Sequence, residues 1–127
     1  HKEYRRQRQM CIRDSYYAVW PFAARPGDDE MYALVPEVAD IAAGAHHVDE
    51  PTFGKWGEQV RALTGDTPTL VLAGVSTDCC VVATALAAAD AGARVHVVAS
   101  ACAGSDVTNH ERALDLMRLF APQITVH

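Results

Sequence analysis

The sequence lacks the patterns that mark secreted, disulfide-linked and membrane-spanning proteins. Its four cysteines form no Cys-x-x-Cys pair and no disulfide spacing pattern, which is typical of a chain that folds in a reducing compartment. No apolar run reaches the roughly 18 residues needed to cross a bilayer, and the apolar core of a signal peptide is missing. We therefore expect a cytoplasmic protein that does not insert into membranes.

Basic residues are scarce beyond the first fourteen positions. Residues 1–14 hold five Lys/Arg and two acidic residues, whereas the remaining chain has six Lys/Arg against fourteen Asp/Glu. The acidic body argues against binding to nucleic-acid phosphates. The basic tail is either an arm for nucleic acid or translated sequencing-adapter sequence, and we favour the second. We thus interpret 1–14 as a non-native or disordered tail and 15–127 as one domain with a single core.

Apolar patterning divides the chain into alternating helices and strands. Three helices are predicted over residues 28–43, 56–63 and 78–91, and a fourth follows the capping box Thr108-Asn109-His110-Glu111. Strands are predicted at 46–49, 69–73, 94–98 and 124–126. The unbroken apolar run at 69–73 indicates a strand buried on both faces. Strand and helix alternate four times, which predicts an α/β fold with a parallel sheet.

Cys80 is the strongest candidate for a reactive group. It lies in the first turn of the helix predicted for 78–91, directly after the strand 69–73 and a short turn. Unpaired N–H groups at a helix N-terminus favour a thiolate and can hold the oxyanion that forms when it attacks a carbonyl. The alternative is that Cys79 and Cys80 are small buried apolar residues. Because neighbouring helical residues point about 100° apart, only one of them can face a cleft.

The residues from Gly74 to Thr84 read Gly-Val-Ser-Thr-Asp-Cys-Cys-Val-Val-Ala-Thr. This segment resembles the nucleophile segment of the isochorismatase-like cysteine hydrolases, Gly-Val-x-Thr-x-x-Cys-Val-x-x-Thr, and places the nucleophile at Cys80. The resemblance extends over residues 15–127. It implies a three-layer α/β/α, Rossmann-like parallel sheet. Members of the family are longer at the N-terminus, so we expect a partial domain in which the first two strands are missing.

The resemblance also implies a reaction that needs an Asp, a Lys and the Cys. The thiolate attacks an amide or related carbonyl, the Lys helps to form the thiolate, and the Asp carries the proton to the leaving amine. An oxyanion-binding turn with a cis peptide would comprise Val75, Ser76, Thr77 and Cys79.

Two of these catalytic positions depart from the family pattern. Glu50, in Glu50-Pro51, stands where the family has Lys, and a carboxylate near Cys80 would disfavour the thiolate. Lys55 is a weak substitute that we expect to open the next helix. The strand that carries the catalytic Asp has no counterpart, and Ser100 replaces an Asp at the end of the family's fifth strand.

Other candidate residues give weaker signals. Trp20, Phe53 and Trp56 are candidates for lining a substrate pocket, although large aromatic residues near a sheet edge belong more often to the core. The histidines fall on separate elements, without the Asp-x-His-x-x-x-His-like spacing of the metal-binding nicotinamidases. We therefore expect no metal and no other cofactor.

Two functional hypotheses remain open. The first is an amidase-type cysteine hydrolase for a small amide, ureido or related C–N substrate, inactive as this chain because the Asp is missing and the Lys position is Glu50. The second is a non-catalytic pseudoenzyme or fragment that binds a small molecule or partner. The expected partner is a small-molecule substrate, with neither nucleic acid nor membrane, and we expect the full-length parent to be a homo-oligomer.

The missing strands would lie between the predicted strands 46–49 and 69–73. Either these two strands pair directly, or the apolar strand 69–73 is left as an exposed edge that seeks a partner strand. We expect direct pairing, in a reduced sheet of about three to four strands.

Overall fold

The structure is a computed structural model that describes residues 36–48, 50 and 52–127. Its elements alternate between helix and strand along most of the chain. In order they are α1 (Pro36–Ile41), α2 (Glu58–Thr64), β1 (Thr69–Val75), a π-helical turn (Thr77–Val81), α3 (Val82–Asp90), β2 (Arg94–Ala103), α4 (Val107–Arg118) and β3 (Ile124–Val126). Across the described ranges, no helix is both long and apolar enough to cross a membrane.

The three strands form one parallel sheet in the order β1-β2-β3. Leu70 of β1 pairs with Val95 of β2, which pairs in turn with Ile124 of β3. Helix α3 connects the first two strands and α4 connects the last two, as parallel neighbours require. The α/β fold class predicted from the sequence is confirmed.

The hydrophobic core lies between one face of the sheet and the helices α3 and α4. Ala85 and Ala88 of α3 are fully buried, and these small side chains let the helix lie close to the strands. Helix α4 contributes Leu114 and Met117, both buried. They meet the inward-facing strand residues Val95, Val97 and Ile124. Burial of each large apolar side chain contributes about 1.5–3 kcal/mol, so this layer supplies the main stabilisation of the described part.

Strand β1 is not buried on both faces, which corrects the sequence prediction. Leu70 and Leu72 pack against the core, whereas Val71 between them is 70% exposed. The cause is that α3 and α4 both cover the same face, and among the described residues no helix packs on the other face. An unbroken apolar run shows that a strand is suited to burial on both faces. The second face is buried only where another layer of structure covers it.

The predicted strand at 46–49 is wrong over its described part. His46 to Val48 have no strand conformation, and Asp49 lies outside the described residues. Within the described part of the chain, β1 pairs with β2 alone, so the expected direct pairing of the two segments is also wrong. Three residues with exposed His46 and His47 bury too little apolar surface to hold a strand against the sheet.

The helix boundaries follow local capping chemistry. Helix α1 is described from Pro36 to Ile41, and residues 28–35 of the predicted helix lie outside the described residues. Helix α2 begins at Glu58 and ends before Gly65, whose φ of 87° favours glycine. The cap of α4 is Asp106, which accepts a hydrogen bond from the Asn109 N–H, and not Thr108 as the capping box predicted. Asp106 has the extended backbone of an N-cap residue, whereas Thr108 already lies inside the helix.

Strand β2 is longer than predicted because it bulges. Its pairing with β1 jumps from Leu72–Val97 to Gly74–Cys102, and the residues 98–101 form the extra length. Gly74 has a φ of 125°, which side-chain-bearing residues rarely adopt, so a glycine is needed at this point of β1. Ser100 lies in the bulge and is exposed.

Candidate active site

The candidate site is built on the turn that follows β1. The peptide bond between Val75 and Ser76 is cis, and the π-helical turn from Thr77 to Val81 leads directly into α3. The carbonyl of Ser76 accepts hydrogen bonds from the N–H groups of Cys79 and Val81, both at 3.1 Å. The Cys79 N–H, which the resemblance assigns to the oxyanion-binding turn, is thus engaged by the turn itself in this structure.

Cys80 is the fourth of the five residues in this turn, and it is buried. The residue is 7% exposed, whereas Cys79 is half-buried, and the two sulfur atoms lie 4.0 Å apart. The Cys80 carbonyl accepts a 2.7 Å hydrogen bond from the Thr84 hydroxyl, which in turn accepts one from the Lys55 N–H at 2.8 Å. The backbone of Cys80 is therefore linked to the start of α3 and, through Thr84, to the segment around Lys55.

Thr77 and His110 form a contact across the site. Thr77 is fully buried, and its hydroxyl is hydrogen-bonded to Nδ1 of His110 at 2.8 Å. His110 lies in the first turn of α4 and is mostly buried, with Nε2 4.0 Å from the Glu111 carboxylate. Gly104 allows the start of α4 to approach the loop after β2, because a Cβ at this position would lie only 2.8 Å from the His110 Cβ. The turn and α4 are consequently in direct contact.

Asp78 joins the turn to the loop after β2. Its carboxylate accepts hydrogen bonds from the Ser76 hydroxyl, from the Ser105 N–H at 2.8 Å and from the Ser105 hydroxyl at 2.6 Å. Burial raises the pKa of Asp78, but the hydrogen bonds from Ser105 and Ser76 outweigh it and hold the pKa below its usual value. The carboxylate is ionised at neutral pH, and it acts as an anchor between two loops.

Glu50, which the resemblance places at the family's Lys position, turns toward helix α2. Its Oε1 accepts a 3.0 Å hydrogen bond from the side chain of Gln59, and a Cβ at Gly57 would lie 3.2 Å from the same oxygen. A carboxylate at the start of a helix is favourable, because the first N–H groups of a helix carry partial positive charge. The observed partners thus give Glu50 a structural role at the loop before α2.

Lys55 does not open a helix. It lies three residues before α2, and its ammonium group donates to the backbone carbonyls of Glu50, at 3.0 Å, and of Thr52. Gly54, its neighbour, lies so close to α3 that a Cβ there would be 3.3 Å from the Ala83 carbonyl oxygen. Lys55 therefore closes its own loop and docks that loop beside the start of α3.

The predicted pocket residues have different environments. Trp20 lies outside the described residues, Phe53 is 40% exposed, and Trp56 packs against the hydrophobic core. Trp56 is thus partly buried beside the core, and its place in a substrate pocket stays a prediction. In the part of the chain that the structure describes, no three His, Cys, Asp or Glu side chains cluster so that they could hold a metal ion.

Cys102 is the third thiol among the described residues and lies near the end of the sheet. It lies in β2 opposite Gly74 and is partly buried. Burial raises the pKa of the Cys102 thiol more than a hydrogen bond with the Gly74 backbone lowers it. This thiol is therefore a poor nucleophile at neutral pH.

Sequence reasoning missed the residues that brace the turn, namely Asp78, Ser105 and His110. The motif from Gly74 to Thr84 contains Asp78 but gives it no role, and the sequence identifies His110 only as part of a capping box. A short polar run, Gly104-Ser105-Asp106, directly after a strand was a usable signal, because such residues bind backbone and helix ends. Their convergence on the turn depends on a bulge that the sequence does not show.

The fold and the turn together define an α/β protein with a cysteine at a strand–turn–helix corner. The isochorismatase domain model matches residues 14–127, and this chain belongs to that family. No curated protein matches the sequence.

Solved structures share the fold. A nicotinamidase from Bacillus subtilis is 17% identical over 96% of this chain and 84% of its own, with a TM-score of 0.63. A pyrazinamidase/nicotinamidase from Streptococcus mutans is 27% identical over 79% of this chain and 60% of its own, with a TM-score of 0.56. A hypothetical protein from Trypanosoma cruzi is 23% identical with a TM-score of 0.61, and the chain spans about half of its length (51%).

Proposed function

We propose that this protein derives from a cysteine hydrolase that acts on a small amide, ureido or related C–N substrate through Cys80. The observation that carries the proposal is the placement of Cys80, which is 7% exposed, in the turn between β1 and α3. Thiol attack on the carbonyl would form an acyl-thioester and release the amine, and water would then release the acid. Solved structures with this fold include a pyrazinamidase/nicotinamidase and a nicotinamidase, which supports this substrate class.

We further propose that the chain as given does not turn over such substrates. The Glu50 carboxylate occupies the position of the family's Lys and is engaged by Gln59. The nearest lysine in sequence, Lys55, directs its ammonium group to loop carbonyls. Asp78, the carboxylate in the turn, is held by Ser76 and Ser105 and keeps its pKa low, so it is a weak proton acceptor.

The test is hydrolysis of nicotinamide, ureido and carbamoyl compounds, followed by amine or ammonia release. We expect no turnover by the chain as given. A chimera that adds an N-terminal segment of a family member and carries Glu50→Lys should gain activity, whereas either change alone should not. A Cys80→Ala version of the chimera is the matched control. An inactive double-change chimera would contradict the hydrolase assignment.

The alternative function is a pseudoenzyme that binds a small molecule without hydrolysing it. The observation that favours it is the hydrogen bond between Glu50 and Gln59, which gives the substituted residue a stabilising place in the fold. Under this alternative, Glu50→Lys destabilises the chain and the chimera stays inactive. Thermal unfolding of the Glu50→Lys and Glu50→Gln variants distinguishes the two cases.

A further inference from the structure

The turn that carries Cys80 is braced from one side by the segment 104–110. Asp78 binds the loop after β2 through Ser105, and Thr77 binds the first turn of α4 through His110. These contacts join residues that are 27 and 33 positions apart in sequence. The nucleophile turn is therefore held by tertiary contacts in addition to the hydrogen bonds within it.

The contact between Thr77 and His110 is made in a confined space. Thr77 is fully buried, so its hydroxyl depends on a protein partner, and a buried hydroxyl without one is costly. The start of α4 also lies close to the loop after β2, because a Cβ at Gly104 would lie 2.8–2.9 Å from the Cβ, Cα and N atoms of His110. Only Nδ1 of the ring reaches Thr77, at 2.8 Å, while Nε2 lies on the side of Glu111.

Thr77 is the first residue of the π-helical turn, and Cys80 is its fourth. A rotation at Thr77 moves every following residue of the turn, including the thiol. Ser76 restrains the turn locally, because its carbonyl accepts hydrogen bonds from the N–H groups of Cys79 and Val81. The hydrogen bond to His110 ties the turn to a separate helix that does not move with it.

We propose that His110 is a positioning residue for the nucleophile turn: its Nδ1 holds Thr77 and thereby fixes the orientation of Cys80. The proposal rests on the assignment of Cys80 as the nucleophile under the proposed function. His110 acts through Thr77, and its role is to keep the turn in the conformation in which Cys80 is buried.

The test compares three replacements of His110 in a Cys79→Ser background. The terminal atoms of Asn lie the same number of bonds from Cα as Nδ1 of His, and those of Gln lie one bond further, as Nε2 does. His110→Asn should therefore preserve the bond to Thr77, whereas His110→Gln and His110→Leu should lose it. The readout is the rate of Cys80 alkylation by iodoacetamide, resolved by peptide mass spectrometry, with Cys102 as the reference thiol.

Alkylation of a buried thiol requires a local opening, so its rate follows the opening equilibrium. We expect the Cys80 rate to rise about tenfold in the Leu and Gln variants, equivalent to about 1.4 kcal/mol, and to stay within about twofold in the Asn variant. The Cys102 rate should not change. An unchanged Cys80 rate in His110→Leu, equal rates in the Asn and Leu variants, or a parallel rise at Cys102 would each overturn the proposal.

A second pair of variants tests the same contact from its other end. Thr77→Val should raise the Cys80 rate as His110→Leu does, and Thr77→Ser should not. Because both replacements break one bond, the double variant should show no further increase over either single one. If the His110 variants fail to fold, the Thr77 variants alone test the proposal. Additive increases of the Cys80 alkylation rate in the double variant would contradict it.

His96→Leu is the matched control. His96 also has a hydrogen-bonded imidazole, with Nδ1 2.8 Å from Nε2 of His127, but it lies on the sheet face away from α3 and α4. Its replacement should leave the Cys80 rate unchanged. The alkylation rate of Cys80 reports the opening of the turn and does not require catalysis. An inactive chimera would therefore contradict the proposed function without affecting the labelling result.

Discussion

Asp78 shows how a single carboxylate couples the site to pH. Its pKa in the folded state is lowered, because the hydrogen bonds from Ser105 and Ser76 outweigh the cost of burial. A lowered folded pKa stabilises the fold above the unfolded pKa of about 3.9, and this stabilisation is lost as pH falls through the folded value. Asp78 therefore stabilises the turn at neutral pH and ceases to do so in acid.

We predict that Asp78→Asn lowers the free energy of unfolding at about pH 6, and that the difference from the parent chain shrinks below about pH 4. The amide lacks the charge that strengthens the bonds from Ser105. Urea denaturation at several pH values measures this. Asp66→Asn is the control, because Asp66 is an exposed partner of Arg61, where a surface ion pair contributes little. A deficit of equal size at all pH values would contradict the role of the charge.

At the level of elements, the junction between β2 and α4 depends on the close approach of Gly104 to His110. A Cβ at Gly104 would lie 2.8 Å from the Cβ and 2.9 Å from the Cα and N of His110. Two of these atoms belong to the backbone of α4, so the helix itself would have to move. The junction also holds Ser105 and His110, the two residues that bind the nucleophile turn.

Gly104→Ala should therefore lower the free energy of unfolding by about 1–3 kcal/mol, the usual cost of overpacking. Gly57→Ala is a matched control, since the nearest atom there is Oε1 of Glu50, at 3.2 Å, which belongs to a side chain that can shift. Gly57 also has an extended backbone, with a φ of −157°, that alanine adopts readily. Chemical denaturation of both variants checks the prediction, and an equal loss in both would contradict it.

At the level of the whole molecule, β1 is an edge strand within the described residues. Its apolar residue Val71 is 70% exposed on the face that α3 and α4 leave open. An exposed apolar edge strand presents N–H and C=O groups that pair readily with a second chain. This arrangement is the alternative to direct pairing that the sequence left open, and it makes self-association the expected behaviour of the isolated chain.

We predict concentration-dependent self-association that Val71→Lys reduces, because a charge on an edge strand opposes strand pairing. Leu119→Lys is the matched control: Leu119 is 80% exposed but follows α4, away from the β1 edge. Light scattering after size-exclusion chromatography at several concentrations measures the effect. A monodisperse parent chain, or equal effects of the two lysines, would contradict this account.

The sequence by itself determined the elements that rest on local chemistry. The strand 124–126 was predicted with its observed bounds, and the start of the strand at 69 and of the strand at 94 agree with the structure. Alternating apolar runs and alanine-rich spacing are local signals, and so the α/β class followed from them. The motif around Cys80 likewise placed the thiol correctly between β1 and α3, because residues close in sequence remain close in a turn.

Only the tertiary structure decided which surfaces are covered and which side chains converge. Val71 was expected to be buried and is exposed, since burial depends on a second layer that the run of apolar residues cannot reveal. Cys80 is buried through the packing around its turn, and Glu50 turns to Gln59, a partner that comes from α2. The contacts of Thr77 with His110 and of Asp78 with Ser105 span about thirty residues and depend on the bulge of β2, so no local pattern encodes them.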